Sequence, residues 1–308
     1  MKLNFKFILL TTVLLNLFLQ PQAVWCQEEN ENLINEKIAS VGFDKYFKKD
    51  SEVEIKEFFA NIDKYIQNNN YKKLKTVLSK NFVNNDGFDY SLFLKSLKDG
   101  GDLYTNRKSD TKILDYNVLE NYATVHVIES GEAVSVKDSK DNLGKSIILL
   151  KSEVYYTLCR ENGKWKILSA NTVDENFLIL YGCAKSMYFS LNAPMNVKAD
   201  SEYTATLSFQ PQNGFVYVSS ISQEPIIYPV PKTKDIFKPV KPDGILERIF
   251  TSNKSDYNEY VIASIGITKP EMASNSDFNI NLVGSAYVIK RVNVLDAKKF
   301  EKNNSDKK

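Results

Sequence analysis

Apolar residues recur along this chain with three different rhythms, and the changes of rhythm divide it. Residues 7–19 form an apolar run interrupted only by Thr11, Thr12 and Asn16 and preceded by Lys2 and Lys6. From Val53 the spacing becomes three and four. Val53, Ile55, Phe58, Phe59, Ile62, Tyr65 and Ile66 make one stripe, which predicts a helix ending near Asn68-Asn69-Asn70. Tyr71, Leu74, Val77, Leu78 and Phe82 repeat the helical spacing, and a shorter stripe at Tyr90, Phe93, Leu94 and Leu97 stops at Gly100-Gly101. Three helices are therefore expected before the first strand.

From Thr111 the period becomes two, over residues 111–116 and again over 122–128, where Ala123, Val125 and Val127 share one face. Residues 136–145 are polar and predict a long hairpin connection, after which 146–160 resumes as strand. Asn162-Gly163 accepts the positive φ angles of a two-residue hairpin turn, and this sets a register. It pairs Glu161 with Lys164, Arg160 with Trp165, Leu158 with Ile167 and Tyr156 with Ser169. Tyr155, Thr157, Cys159, Lys166, Leu168 and Ala170 then fall on the opposite face. Apolar residues lie on both faces, which suits a curved sheet packed by helices on one side and covering a pocket or a partner on the other.

Two helices, a short helix and a meander of strands closing on Asn162-Gly163-Lys164-Trp165-Lys166-Ile167 resemble the nuclear transport factor two-like, or SnoaL-like, cone fold over about residues 52–174. That resemblance implies an α+β unit at 51–180 with a pocket or a dimer face. The superfamily includes isomerases, dehydratases and non-catalytic binding or dimerisation modules, so it implies no single function. Downstream, residues 203–209, 214–221, 226–230, 246–250, 259–268 and 278–294 read as strands with no sustained helical period. They suggest an antiparallel β-sandwich at 184–296 that resembles the immunoglobulin-like kind. The fold class expected is thus α+β: N-terminal helices on a curved antiparallel sheet, then an all-β antiparallel sandwich. Pro225, Pro229, Pro231, Pro239 and Pro242 crowd one connection, which predicts an edge strand and an extended surface loop.

Composition and charge narrow the setting. Two lysines before the apolar run read as a secretory signal over 1–26, followed by a polar spacer at 27–50, and a charged tail at 297–308 closes the chain. The expectation is a secreted or extracytoplasmic protein with no span left after cleavage. Lipid anchoring through Cys26 is the alternative, opposed by the bulk of Trp25 where such signals place a small residue. The formal charge of +2 comes from the leader's own lysines, so the mature chain is neutral and lacks the basic surface that nucleic acid requires.

Candidate chemistry is sparse. His126 is the single histidine and titrates nearest neutrality among ordinary side chains. With Tyr155 and Tyr156 it forms the candidate ligand-binding set. An isomerase-like cone needs a pocket carboxylate and a tyrosine, for which Asp110, Asp115, Glu153, Tyr116, Tyr155 and Tyr156 are available. No nucleophile motif and no Gly-rich phosphate loop is present, and no metal or cofactor is implied. Cys159 and Cys183 are either a disulfide or two isolated thiols. The function expected is an exported, non-catalytic protein that binds a small molecule or another protein, with a homodimer through the cone as one form. The alternatives are an isomerase or dehydratase using the cone pocket, and a structural envelope component.

Overall fold

The computed structural model describes residues 43–229, 237–255, 257–272 and 278–296. The expected signal, Cys26, Pro231 and the charged tail lie outside them. Helix α1 spans Phe43–Gln67, so helix begins inside the stretch expected as spacer. Its stripe buries Ile55, Phe59 and Ile62, spaced four and three apart, on one face. Asn70 caps α2 (Tyr71–Val77) by accepting a hydrogen bond from the Lys73 amide at 3.1 Å. Here the helical reading of Leu78 and Phe82 is overturned. Leu78 turns extended and opens β1, Leu78–Asn84, which pairs in parallel with a later strand. The spacing of Tyr71, Leu74 and Val77 is helical, but that pairing outweighs local propensity beyond Val77. Helix α3, Tyr90–Gly101, begins at Asp89, whose carboxylate accepts from the Leu92 amide at 2.8 Å. It ends at the double glycine, where a Cβ on Gly101 would stand 1.0 Å from the Tyr71 hydroxyl.

Strands β2 (Tyr104–Leu119), β3 (Tyr122–Ser135), β4 (Ile147–Glu161) and β5 (Lys164–Gly182) then run as an antiparallel meander. Asn162 and Gly163 take the expected positive φ, 51° and 74°. The register holds from Glu161–Lys164 to Leu158–Ile167, then slips, because Leu168 is an extra residue and Thr157 faces Ser169. Tyr156 therefore faces Ala170, not Ser169, and Ala170 turns to the buried face. A second extra residue, Val173, lies between the pairs Val154–Thr172 and Glu153–Asp174. Bulges of this kind bend the strand that carries them.

Beyond a 3₁₀ turn at Cys183–Ser186 come β6 (Phe189–Asn192), β7 (Asn196–Lys198), β8 (Glu202–Phe209), β9 (Val216–Pro225), β10 (Lys238–Pro239), β11 (Ile245–Thr251), β12 (Glu259–Met272) and β13 (Phe278–Leu295). The described part of 226–230 is not a strand. Instead Pro225 ends β9 and Ile226, 1% exposed, is buried in the helical core, while Tyr228 hydrogen-bonds Asp99 of α3. Residues 226–229 are thus a strap and not a surface loop, whereas Lys238–Pro239 further along the same connection form β10, the edge strand expected there.

The molecule is mostly β, and its long sheet is continuous: the strand order is β10-β9-β12-β13-β5-β4-β3-β2, with β1 added in parallel to β5. The join is β5, whose later half, Asn176–Gly182, pairs with β13. A second sheet, β11-β8-β6, faces the later strands. Two cores result. On β12 and β13, Tyr260, Ile262, Tyr287 and Ile289 turn to the helical core, and Val261, Ala263, Ala286 and Val288 turn to the core shared with the small sheet.

A buried polar cluster ties the halves together. Arg291 on β13 is 0% exposed, and its Nη2 donates to Asp86 Oδ1 at 2.7 Å, Asp86 lying in the loop after β1. Asn293 accepts from Arg291 Nε at 2.7 Å, and Asn258 donates to Asp86 at 2.8 Å. Burial is the largest single influence on Arg291 and opposes its charge, but Asp86, Tyr260 and Glu175 together outweigh it and the guanidinium is held charged. Asp86→Ala leaves that cation buried without its partner. The expected loss is about 3–5 kcal/mol of unfolding free energy in urea titrations, and a change below about 1 kcal/mol would show the pair to be dispensable.

Candidate functional site

Alternation splits the first unit's sheet into two chemistries. Ala123, Val125 and Val127 face the helices with Val154, Tyr156 and Leu158 and are buried. Tyr122, Thr124, His126 and Ile128 face the other way, with Glu153 and Tyr155 beside them on β4.

The helix-covered side is nearly full. Phe59, Phe82, Phe93 and Tyr156 pack there, with Phe59 and Tyr156 ring centroids 5.3 Å apart and those of Phe82 and Phe93 4.5 Å apart. Among these side chains remains a gap of about 10 Å³, room for about one water. On the same side, a cavity of about 70 Å³ is lined by Ile66, Leu97, Tyr104, Arg107, Glu129 and Leu150. That is well short of the roughly 300 Å³ at which small-molecule pockets begin.

Two carboxyl groups border this cavity: Glu132, which pairs with Lys108 at 3.0 Å, and Glu129, which shares the helix-facing parity of β3 and which none of the sequence candidates anticipated. Tyr156 donates to Glu129 Oε1 at 2.7 Å. Burial pushes the Glu129 carboxyl up to about 8, Tyr156 opposing and the charge of Asp63 adding to it. Asp63 on α1 is itself held by Ser109 Oγ at 2.6 Å and by the Thr111 amide at 3.1 Å. It thereby caps an unpaired amide of β2, the last strand of the sheet, and keeps α1 along that edge. Chemically, Glu129 and Tyr156 make a neutral acid beside a phenol, able to donate or exchange a proton with a very small guest. The signal for Glu129 was in the chain: Ala123, Val125, Val127 and Glu129 share one parity on β3.

The predicted trio is not brought together. His126 Nε2 lies 2.8 Å from Glu153 Oε1 on the outward face, and the imidazole stacks on Tyr155 with centroids 3.9 Å apart and planes 6° apart. Tyr156 is on the inner face. Burial, then the carboxylates of Glu153 and Asp115, push the Tyr155 hydroxyl up. Asp110 and Asp115 are exposed, and Tyr116 bonds Glu52 of α1 at 3.3 Å. Cys159 and Cys183 are free thiols. They sit near opposite ends of the β4–β5 hairpin: Cys159 faces Lys166, and seventeen residues of nearly extended chain, on the order of 50 Å, separate Lys166 from Cys183. Among the described residues no group of three His, Cys, Asp or Glu side chains is placed to hold a metal ion. No described helix is long and apolar enough to cross a membrane.

With two helices, a strand, a helix and a four-stranded meander in chain order, the first unit is similar in topology to the nuclear transport factor two-like cone. No family model and no curated protein matches the chain. Solved structures similar to it include a putative scytalone dehydratase from Novosphingobium aromaticivorans, 14% identical, covering 41% of this chain and 84% of its own, with a TM-score of 0.35. A hexachlorocyclohexane dehydrochlorinase, 12% identical, covers 41% and 85% with a TM-score of 0.33. A conserved protein from Planctomyces limnophilus, 10% identical, covers 40% and 94% with a TM-score of 0.35.

Glu129 and Glu175, the latter also held at about 8 by burial, bind protons more tightly in the folded than in the unfolded chain. The stability this confers is complete below the ordinary carboxylate range near 4.5 and is lost as pH rises toward 8. Glu129→Gln keeps a neutral acceptor for Tyr156. Unfolding free energies from urea titrations at pH 4 should therefore match wild type within about 0.5 kcal/mol, while at pH 8.5 the variant should be the more stable by about 1 kcal/mol or more. Parallel profiles would show that Glu129 is ionised in the fold.

Proposed function

We propose that this chain is an exported binding protein whose first unit acts through the open face of its sheet and not through the cone interior, and that the partner of this face is a second copy of the chain. The observation that carries the reading is the filling of the interior, which leaves gaps of about 10 and 70 Å³ and places His126 on the far side of the sheet from Tyr156 and Glu129. The open face, by contrast, presents Leu119, Tyr122, Leu149 and Tyr155 at 72%, 56%, 38% and 36% exposure. Their side chains share a face of three adjacent strands, β2, β3 and β4. A two-fold contact between two such faces would bury the aromatic rows against each other and leave the second sheet and its cleft outside. Export rests on the basic-then-apolar start, Lys2 and Lys6 before residues 7–19.

A second reading is favoured by one specific feature, the neutral Glu129 carboxyl beside Tyr156, a pairing suited to proton transfer next to a small carbonyl compound.

Static light scattering across a hundredfold concentration range tests the first reading. Wild type should move from monomer to dimer, and a Tyr122→Glu, Tyr155→Glu variant of unchanged circular dichroism should stay monomeric throughout. A wild type monomeric at every concentration overturns the self-association. Acetone in deuterated buffer tests the second. Label entering its methyl groups faster than in buffer, and lost with Glu129→Gln, would make the cone an active site; exchange at the buffer rate removes that reading.

A further inference from the structure

The core between the two sheets is not sealed along its whole length. Where β9 and its edge partner β10 face β11, the sheets leave a cleft of about 200 Å³, roughly three times the volume of the cavity beside Glu129. Its floor is apolar: Ile221 belongs to the shared core and Leu246 packs on it. Its sides carry two cations, Lys238 on β10 and Arg248 on β11. Neither makes an ion pair among the described residues. Glu247 also borders the cleft, but it alternates with Arg248 on β11 and accepts a hydrogen bond from Thr206 of β8 at 3.3 Å.

Arg248 is exposed, but its guanidinium is held by two contacts. It shares a face of β11 with Leu246 and Phe250, turned toward the long sheet, and Nη1 donates across the gap to the Ile221 carbonyl oxygen. The Phe250 ring lies 5.1 Å from its guanidinium carbon. One N–H is thus spent on positioning, and a planar fork oriented in this way matches a two-oxygen anion. Beneath the floor, Ser219 is fully buried on the face of β9 that carries Tyr217 and Ile221, and its hydroxyl has no hydrogen-bond partner among the described residues. Two exposed cations with no ion partner among the described residues, an apolar floor and an unsatisfied buried hydroxyl thus lie together, and the hydroxyl in particular is a feature that the sandwich edge does not need for its own stability.

We propose that this cleft binds a small amphiphilic anion, with a carboxylate or phosphate head between Arg248 and Lys238 and a short apolar tail over Ile221 and Leu246. The site is independent of the open face of the first unit, so either assignment stands or falls alone.

The test uses the full chain at low salt, where exposed charge pairing is least screened, with hexanoate, hexyl phosphate and hexanol as probes followed by thermal shift and titration calorimetry. At least one of the two anions should raise Tm in a dose-dependent way while hexanol does not, and the stronger of the two names the head group. Lys238→Gln should weaken that binding about tenfold, and Arg248→Lys, which keeps the charge but not the fork, should weaken it further for a two-oxygen head. Circular dichroism of both variants should match wild type. Equal binding of hexanol, no binding of either anion at about 10 mM, or undiminished binding by both variants would each overturn the proposal.

Discussion

The two halves of this protein are held to one geometry by a buried guanidinium. Arg291 is fully sequestered and brings its charge to Asp86, a loop residue more than two hundred positions away in sequence. A charge in that environment is tolerable only where its donors are answered, and four hydrogen bonds to Arg291 come from both halves: to Asn85 and Asp86 in the first, to Asn293 in the second. The loop after β1 is therefore docked against β12 and β13. Because β1 itself pairs with β5, the docking fixes the position of the helical layer over the long sheet. Hydrophobic burial supplies most of the stability of such a fold, but it does not specify which loop sits over which strand. The ion pair does.

Strand β5 carries the rest of the constraint. Its first half serves β4 and β1, and its second half serves β4 and β13. The bulge at Leu168 falls inside the stretch that β1 pairs, while the bulge at Val173 lies between that stretch and Asn176, where pairing with β13 begins and the strand passes from one set of partners to the next. Gly182 closes it, with a φ of 54° and the Val283 carbonyl oxygen where a Cβ would be, so no larger residue fits the turn into the second core. The long sheet consequently has no seam at residue 180, and the second half contributes Tyr260, Ile262, Tyr287 and Ile289 to the helical core of the first.

Local rules made much of this legible. The α1 stripe, the Asn162-Gly163 turn, the Gly100-Gly101 stop and the strands at 203–209, 246–250 and 259–268 follow from period and turn chemistry alone. What escaped was set by distant partners. Leu78 and Phe82 read as helix because their spacing is helical, and only pairing with β5 makes them strand. One inserted residue at Leu168 moved Ala170 to the other face, a change that no count from the turn reveals. Ile226 and Tyr228 read as strand and became a strap, because the helical core that receives them is built by residues far earlier in the chain. For the site, parity separated Tyr155 from Tyr156 and could have placed Glu129 with Val127. Asp110, Asp115 and Glu153 lie on strands as Glu129 does, so nearness to a strand does not separate them and the face does.

Glu129 and Glu175 together show how far a raised acid can be taken as a mark of function. Both lie on the helix-facing side of the sheet, both are pushed up to about 8 with burial as the main cause, and both accept from a buried tyrosine, Tyr156 at 2.7 Å and Tyr260 at 2.8 Å. Glu175 is 0% exposed and also bonded by Ser152, which gives it no route to a ligand. Its neutrality is the cheapest way to bury a carboxyl that Arg291, already paired with Asp86, does not fully compensate. If environment alone made an acid catalytic, Glu175 would qualify as well as Glu129. What separates them is access: Glu129 borders a cavity on the helix-covered side of the sheet, and that cavity is small. The perturbed carboxyl is thus first a consequence of packing an acid under helices. Its claim to chemistry rests on the roughly 70 Å³ beside it and on whether a guest that small exists.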